Sequence, residues 1–375
     1  MKDVIELAKE LIACASVTPI DDGAMAVVEK FLGPLGFKIE RMRFGAVENL
    51  YARIGTASPH LCFAGHTDVV PPGDETMWKS PPFAPEVRDG RLYGRGASDM
   101  KGAIAAFLCA GQDFLKDNPK FKGSLSYLIT GDEEAAAIDG TVKMVGVLKE
   151  RKEIPDYCVV GEPSNPEKLG DLVKIGRRGS FSAAITLFGT QGHSAYPQIA
   201  DNPVPKMVEL LRKLDRHVLD KGTKHFQPSQ LVLTSIDTGN RAENVIPARI
   251  TAKLNIRFND QHSGKSLSEW MNEMCKECGA RYELSIHANA EPFLTKDHAF
   301  ADRVCRIVKA VTGRLPEKST TGGTSDARFI KDLCPVVECG GINATAHKVD
   351  ENMEVEDLRK LQTIYRQILD DVLKG

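Results

Sequence analysis

The sequence predicts an α/β fold with a second, smaller α+β domain inserted into it, and three observations point that way. Up to about Val160, apolar strand-like runs alternate with helix-like runs, the signal of a sheet with helices on its faces. From about Ser180 the order becomes strand, helix, strand, strand, helix, strand, which is that of a ferredoxin-like sandwich. After Pro292 runs of the first kind return. A chain of 375 residues is long for one domain, so two are expected.

The elements follow in order. Residues 1–12 place Val4, Leu7, Ala8 and Leu11 on one side of an amphipathic helix, and read as that, not as a signal peptide. Strands are expected at 49–54, 60–64, 125–130 and 157–160, with helices at 23–35 and 100–115. The inserted part offers a strand at 180–188, a helix at 204–219, strands at 231–236 and 250–257, a helix at 267–278 and a strand at 282–287. A helix at 298–311, a Gly-rich loop, a strand at 336–339 and a closing helix at 355–373 complete the chain, with no internal repeat. A site drawing on both Asp99 and His347 requires the two outer segments to form one domain.

Composition narrows the function. A 27% charged and 42% hydrophobic chain is that of a soluble protein able to bury a large core. The net charge of -2, with Lys and Arg scattered, argues against a nucleic-acid partner, because phosphate binding needs a concentrated basic excess. No apolar stretch is long enough to span a bilayer, so no membrane partner is expected. Nine cysteines, mostly inside apolar runs such as Leu61-Cys62-Phe63, suggest buried reduced thiols and a cytoplasmic protein. Cys275-Lys276-Glu277-Cys278 resembles half a zinc knuckle, but no second pair lies nearby and the segment reads as helix.

The chemistry sits where strands end. His66 and Asp68, Asp99, Glu133 with Glu134, and Glu162 each follow an apolar run, and His347 lies in the returning segment. In open α/β sheets ligands bind beyond the carboxyl ends of the strands. Imidazole and carboxylate suit borderline divalent ions, and a set with this many acids for two His fits two adjacent cations better than one. Alone, each has a plainer reading: a turn with a capping Asp for His66-Thr67-Asp68, a solvated acidic loop for Gly131-Asp132-Glu133-Glu134, a structural histidine for His347. In the first motif Asp68 is expected to hold the second ring nitrogen of His66. Gly94-Arg95-Gly96-Ala97-Ser98-Asp99-Met100-Lys101-Gly102 is neither a P-loop nor a dinucleotide fingerprint, and Asp99 reads as a carboxylate bridging two metals. Three consecutive acids would repel without a cation, and Glu133 beside Glu134 permits one to bind metal while the other takes a proton from water.

These motifs, with Gly161-Glu162-Pro163, Gly176-Arg177-Arg178-Gly179-Ser180, Gly192-His193-Ser194-Ala195-Tyr196-Pro197 and Thr321-Gly322-Gly323-Thr324-Ser325-Asp326, resemble the co-catalytic dinuclear zinc aminoacylase and carboxypeptidase family over essentially the whole chain. The resemblance implies a mixed-sheet, zinc-peptidase-like catalytic domain over 1–178 and 293–375, and a dimerisation or lid domain over 179–292. It implies two Zn²⁺ per subunit, with Co²⁺ able to substitute: Asp99 bridging, His66 and Glu162 completing one site, Glu134 and His347 the other, and Glu133 as base. It further implies a homodimer through the inserted domain, in which His193 reaches the other subunit's active site to stabilise the oxyanion. Substrate contacts carry over to Arg177, Ser180, Tyr196, Asn244, Arg257, Thr324 and Asn343, a set whose cationic and amide groups suit a small anionic amide. Two alternatives stay open: a related N-acyl amino acid deacylase or dipeptidase, and a non-catalytic binding protein on the same scaffold.

Overall fold

The computed structural model describes residues 2–295 and 298–374; Met1, Lys296, Asp297 and Gly375, which the expected ranges take in, lie outside them. Two compact units emerge, one formed by Met1–Ile175, Thr295–Ser319 and Ser325–Gly375, the other by Gly176–Leu294 with Thr320–Thr324.

The larger unit is built on an eight-stranded sheet. Its strands run, edge to edge, Lys38–Phe44, Val47–Ile54, Ser124–Thr130, His60–His66, Tyr157–Val160, Val336–Glu338, Leu172–Lys174 and Glu317–Ser319. The four central strands, from Ser124–Thr130 to Val336–Glu338, are parallel, and antiparallel pairings flank them. Every residue of His60–His66 and Ser124–Thr130 is buried, as parallel strands covered on both faces require. Helices Lys101–Asp117 and Val355–Leu373 pack on each other and on His60–His66, while Ala24–Leu32 packs on Val47–Ile54 and Thr141–Arg151 on Ser124–Thr130. Phe63 meets Phe107 at a ring separation of 4.3 Å and Phe107 meets Tyr365 at 4.9 Å. The buried Tyr365 hydroxyl donates to the Cys339 carbonyl at 2.6 Å, so this aromatic core leaves that polar tip satisfied.

Register then places the site. His66 pairs with Thr130 and Ala64 with Val160, so the residues that follow these strands leave the sheet along the edge where His66 stands. Gly340 lets the next strand pass close to one of them: a Cβ there would lie 2.2 Å from the carbonyl oxygens of both Gly161 and Glu162.

Several elements differ from expectation for local reasons. The helix expected at 23–35 ends at Leu32 and tightens into a 3₁₀ turn, Gly33–Leu35, where Pro34 has no N–H to donate. The strand expected at 60–64 continues to His66, which is thus its last residue. The sequence reading passed over Lys38–Phe44, an outer strand rich in charged residues, and the helix Thr141–Arg151, whose buried face is only Thr141, Met144, Val145 and Leu148. It also passed over the three-stranded sheet of Asn352–Glu354, Arg91–Tyr93 and Glu86–Arg88.

The smaller unit carries a four-stranded antiparallel sheet in the order Gln230–Asp237, Arg249–Phe258, Gly179–Phe188, Arg281–Ala290. In sequence rank this is 2-3-1-4, and with helices Pro203–Arg216 and Gly264–Glu277 it makes the ferredoxin-like sandwich. Phe181, Ile185, Leu210, Leu214, Leu254 and Met271 share its core. Asn202 caps the first helix ahead of Pro203, and Ser263 with Ser266 forms a capping box on the second. Cys275 is buried in this core, and neither it nor Cys278 belongs to any group among the described residues that could hold a metal ion. All nine cysteines are free. No helix among the described residues is long and apolar enough to cross a membrane.

Candidate metal centre

His66 ends a fully buried strand, and its ring is oriented by backbone. Nδ1 lies 2.9 Å from the carbonyl oxygen of Asp68, and a carbonyl can only accept, so Nδ1 carries hydrogen. The Asp68 carboxylate stands at 3.6 Å. This corrects the expected arrangement, because that carboxylate is engaged elsewhere: it accepts the backbone N–H groups of Glu133 and Glu134, each at 3.1 Å. Asp68 therefore fixes His66 with its main chain and the acidic pair with its side chain.

The other ring nitrogen, Nε2, faces Asp99 Oδ1 at 3.2 Å and Glu162 Oε1 at 3.4 Å. The second oxygen of Asp99, Oδ2, stands 3.4 Å from His347 Nε2, which lies 3.0 Å from Glu134 Oε1. Asp99 thus turns one oxygen to each of two His–Glu pairs. Donors about 2.0–2.1 Å from a tetrahedral zinc ion stand roughly 3.3–3.4 Å apart, and these separations of 3.0 to 3.4 Å match that spacing. The donor set and its geometry fit a pair of divalent ions. Glu133 is beside them, with an oxygen within 4.8 Å of donor atoms of both His66 and Glu134.

The charges respond to one another. Burial opposes the imidazolium of His66, yet hydrogen bonds with Asp99 and Glu162 raise its pKa well above the usual value. Hydrogen bonds with Asp99 and Glu134 raise His347 to about 10. Burial also opposes ionisation of Asp99, but its two imidazole partners hold it below the usual carboxylate range. The carboxylates thus draw protons onto both rings; a divalent cation among the same oxygens would take over that compensation and displace them. Burial, followed by the charge of Glu162, pushes Glu133 well up.

Asp132, the first acid of the run, points away from this cluster. It accepts the N–H groups of Ala137, Ile138 and Asp139 at 3.0 to 3.1 Å, so two acids, not three, face the centre. Sequence reasoning missed Asp326, a buried carboxyl hydrogen-bonded to the Thr141 hydroxyl at 2.6 Å. Burial pushes its pKa up to about 6, and its charge adds to that of Glu162 on Glu133. It also missed Glu351, whose carboxylate binds the turn that carries Asp99; a Glu that acts on backbone leaves no trace in residue spacing.

Asn343 is exposed four residues before His347 in the same unit. The remaining expected substrate contacts belong to the smaller unit and form two groups. Arg177 donates to the Gly323 carbonyl at 3.2 Å, beside Thr324, and Ser180 pairs across the sheet with Arg257. Burial, then the charge of Arg178, lowers the pKa of the Arg257 guanidinium. In the second group the ring of His193 lies 5.6 Å from that of Tyr196, and Ser194 donates its N–H to the Asn244 carbonyl at 2.9 Å. His193, Tyr196 and Asn244 are all exposed.

Ser180 opens the strand that ends at Phe188, and the His193 group follows beyond that end. Eight residues of strand span roughly 26 Å. The two groups therefore occupy opposite ends of one sheet and cannot meet on one small molecule.

The comparisons with known proteins can be set beside this geometry. The profile described as "Peptidase family M20/M25/M40" matches residues 62–371. The chain belongs to this family. It is accordingly a metal-dependent hydrolase. Among M20/M25/M40 relatives, the succinyl-diaminopimelate desuccinylase of Parvibaculum lavamentivorans is 53% identical, with 100% of this chain and 96% of that protein covered. That of Rhodospirillum centenum is 54% identical, with 100% and 98% covered. Among solved structures, an M20 family metallo-carboxypeptidase from Sulfolobus solfataricus superposes with a TM-score of 0.78 at 21% identity, covering 98% of this chain and 99% of that one. At that identity the M20 likeness speaks for the fold.

Proposed function

We propose that the protein hydrolyses N-succinyl-LL-2,6-diaminopimelate to succinate and LL-2,6-diaminopimelate, a step of diaminopimelate and lysine biosynthesis carried out in the cytoplasm. The observation that carries a two-ion hydrolysis is the placement of Asp99, one carboxylate oxygen turned to His66 and Glu162 and the other turned to His347 and Glu134. The substrate rests on the 53% and 54% identity to desuccinylases over the whole chain.

Two divalent ions, zinc in this reading with cobalt able to substitute, would be held by His66 and Glu162, by Glu134 and His347, and by Asp99 between them, where they would polarise the amide carbonyl and acidify water. Glu133 accepts the proton at its carboxylate as the water oxygen bonds to the succinyl carbonyl carbon. The C–N bond then breaks, and Glu133 returns the proton to the departing amine nitrogen. Asp68 acts through main chain and side chain together, orienting His66 and steadying the backbone of Glu133 and Glu134.

Arg177, Ser180, Arg257, Thr324 and Asn343 would be contacts of the anionic substrate. His193, Tyr196 and Asn244 stand at the far end of the smaller unit's sheet, which argues that they serve the active site of a second subunit, His193 donating to the oxyanion there. A homodimer through the smaller unit is part of this reading. The test is a side-by-side assay of zinc-loaded protein on succinyl-diaminopimelate, acetylornithine and dipeptides. Highest kcat/KM on the first supports the proposal, and a higher value on either of the others sinks the substrate assignment.

A further inference from the structure

Glu351 takes no part in the hydrolysis derived above, yet it is fully buried. Its Oε1 accepts the backbone N–H groups of Ser98 at 2.8 Å and Asp99 at 3.0 Å. Its Oε2 accepts the N–H of Gly96 at 3.0 Å and the guanidinium of Arg95 at 2.7 Å. A carboxylate offers about four acceptor sites, and all are taken. Three of the donors are main-chain groups of the turn that presents Asp99.

Arg95, equally buried, reaches further. The nitrogen that binds Glu351 also donates to the carbonyl of Lys348 at 3.3 Å, and the other terminal nitrogen donates to that of Pro71 at 3.4 Å. Lys348 directly follows His347. The loop holding both is closed on itself by Thr345 and Asn352: the Thr345 hydroxyl donates to the Asn352 carbonyl at 2.8 Å and accepts the Asn352 N–H at 3.1 Å. Glu351 belongs to that loop, so the segment that carries His347 grips, through one side chain, the backbone that carries Asp99.

The geometry points to Glu351 and Arg95 as a positioning pair for the metal centre, fixing the bridging ligand Asp99 against the loop of His347. The need for such a pair follows from how the ligands are mounted. His66 ends a buried strand and Glu162 lies two residues past another, so the sheet places both. Asp99 stands in a turn with Gly94 and Gly96 at positive φ, and His347 is exposed with a φ of 62°; neither is held by regular structure. The Asp99, Glu134 and His347 group depends on the pair at two of three ligands, the His66, Asp99 and Glu162 group at one. Loss of the pair therefore weakens the first group more than the second.

This inference rests on the two-ion reading, and one set of titrations separates them. Metal-free wild type, Glu351→Gln and Arg95→Lys are titrated with Zn²⁺ by calorimetry, and KM and kcat are measured at saturating Zn²⁺. Glutamine keeps the size of Glu351, but its amide nitrogen cannot accept an N–H. Expected results are two binding steps in wild type, an affinity loss of about 10- to 100-fold at one step in Glu351→Gln with a smaller loss at the other, and an unchanged KM with lowered kcat. Arg95→Lys keeps the charge without the forked reach and weakens the same step. A Glu351→Gln isotherm like that of wild type overturns the positioning role, even if the melting temperature falls. Should Glu351→Gln fail to fold, a wild-type isotherm for Arg95→Lys overturns it. Wild type that binds no Zn²⁺ would overturn the two-ion reading instead.

Discussion

Glu133 and His347 show how single side chains can be probed. In Glu133→Gln the proposed ligands His66, Asp99, Glu134, Glu162 and His347 are untouched, so Zn²⁺ binding should persist while kcat falls by about 10²- to 10⁴-fold, the usual contribution of acid–base transfer. A variant that retains most of its turnover removes Glu133 from that role. The raised pKa of His347, about 10 against about 6.5 in an unfolded chain, predicts a pH trend for the metal-free protein. A group whose pKa rises on folding stabilises the fold fully below its unfolded value, and that contribution disappears as pH climbs toward the folded value. The melting temperature of metal-free protein should therefore fall between about pH 6.5 and pH 10, more in wild type than in His347→Ala. Equal slopes in both would show that the Asp99 and Glu134 contacts of His347 contribute nothing. Of the proposed ligands, His66, Glu134 and Glu162 were legible in the sequence because each ends or closely follows an apolar strand, whereas Asp99 and His347 stand in loops and were read from motif and resemblance. Glu351 was not, because its partners are backbone N–H groups up to 255 residues away.

Among elements, the buried parallel strands and the long amphipathic helices could be read from apolar runs, and Val355–Leu373 is found where its periodicity puts it. Lys38–Phe44 could not, since an outer strand with four charged residues in seven and one buried side chain has little apolar signature, and the three-residue strands are too short to show a period. The ferredoxin-like order was legible from the succession of strand and helix patterns alone. Close packing between strand exits was invisible. At Gly340 an added methyl would strike the carbonyls of Gly161 and Glu162 at 2.2 Å, and overpacking of this kind costs about 1–3 kcal/mol. Gly340→Ala should therefore lower the melting temperature and weaken Zn²⁺ binding together, because the backbone that must yield carries Glu162. Loss of stability with an unaltered Zn²⁺ isotherm would show that the strain relaxes elsewhere.

At the level of the whole molecule, the two polar groups of the smaller unit, at opposite ends of its sheet, make a complementation experiment informative. Glu133→Gln and His193→Ala, each inactive alone, can be mixed and allowed to exchange subunits. If His193 serves the other subunit, a mixed two-fold dimer carries one site with both lesions and one with neither, so about one quarter of wild-type activity should return. No recovery, with exchange verified by mass, would place His193 in the site of its own chain.

The two histidines differ sharply in access to solvent: the side chain of His66 is 1% exposed and that of His347 50%. An ion beside the first would be lined by mostly buried side chains, whereas an ion at His347 would border bulk water. Purification through a weak chelator should consequently strip one equivalent quickly and the other slowly, and material handled without added metal would reach the assay half-loaded.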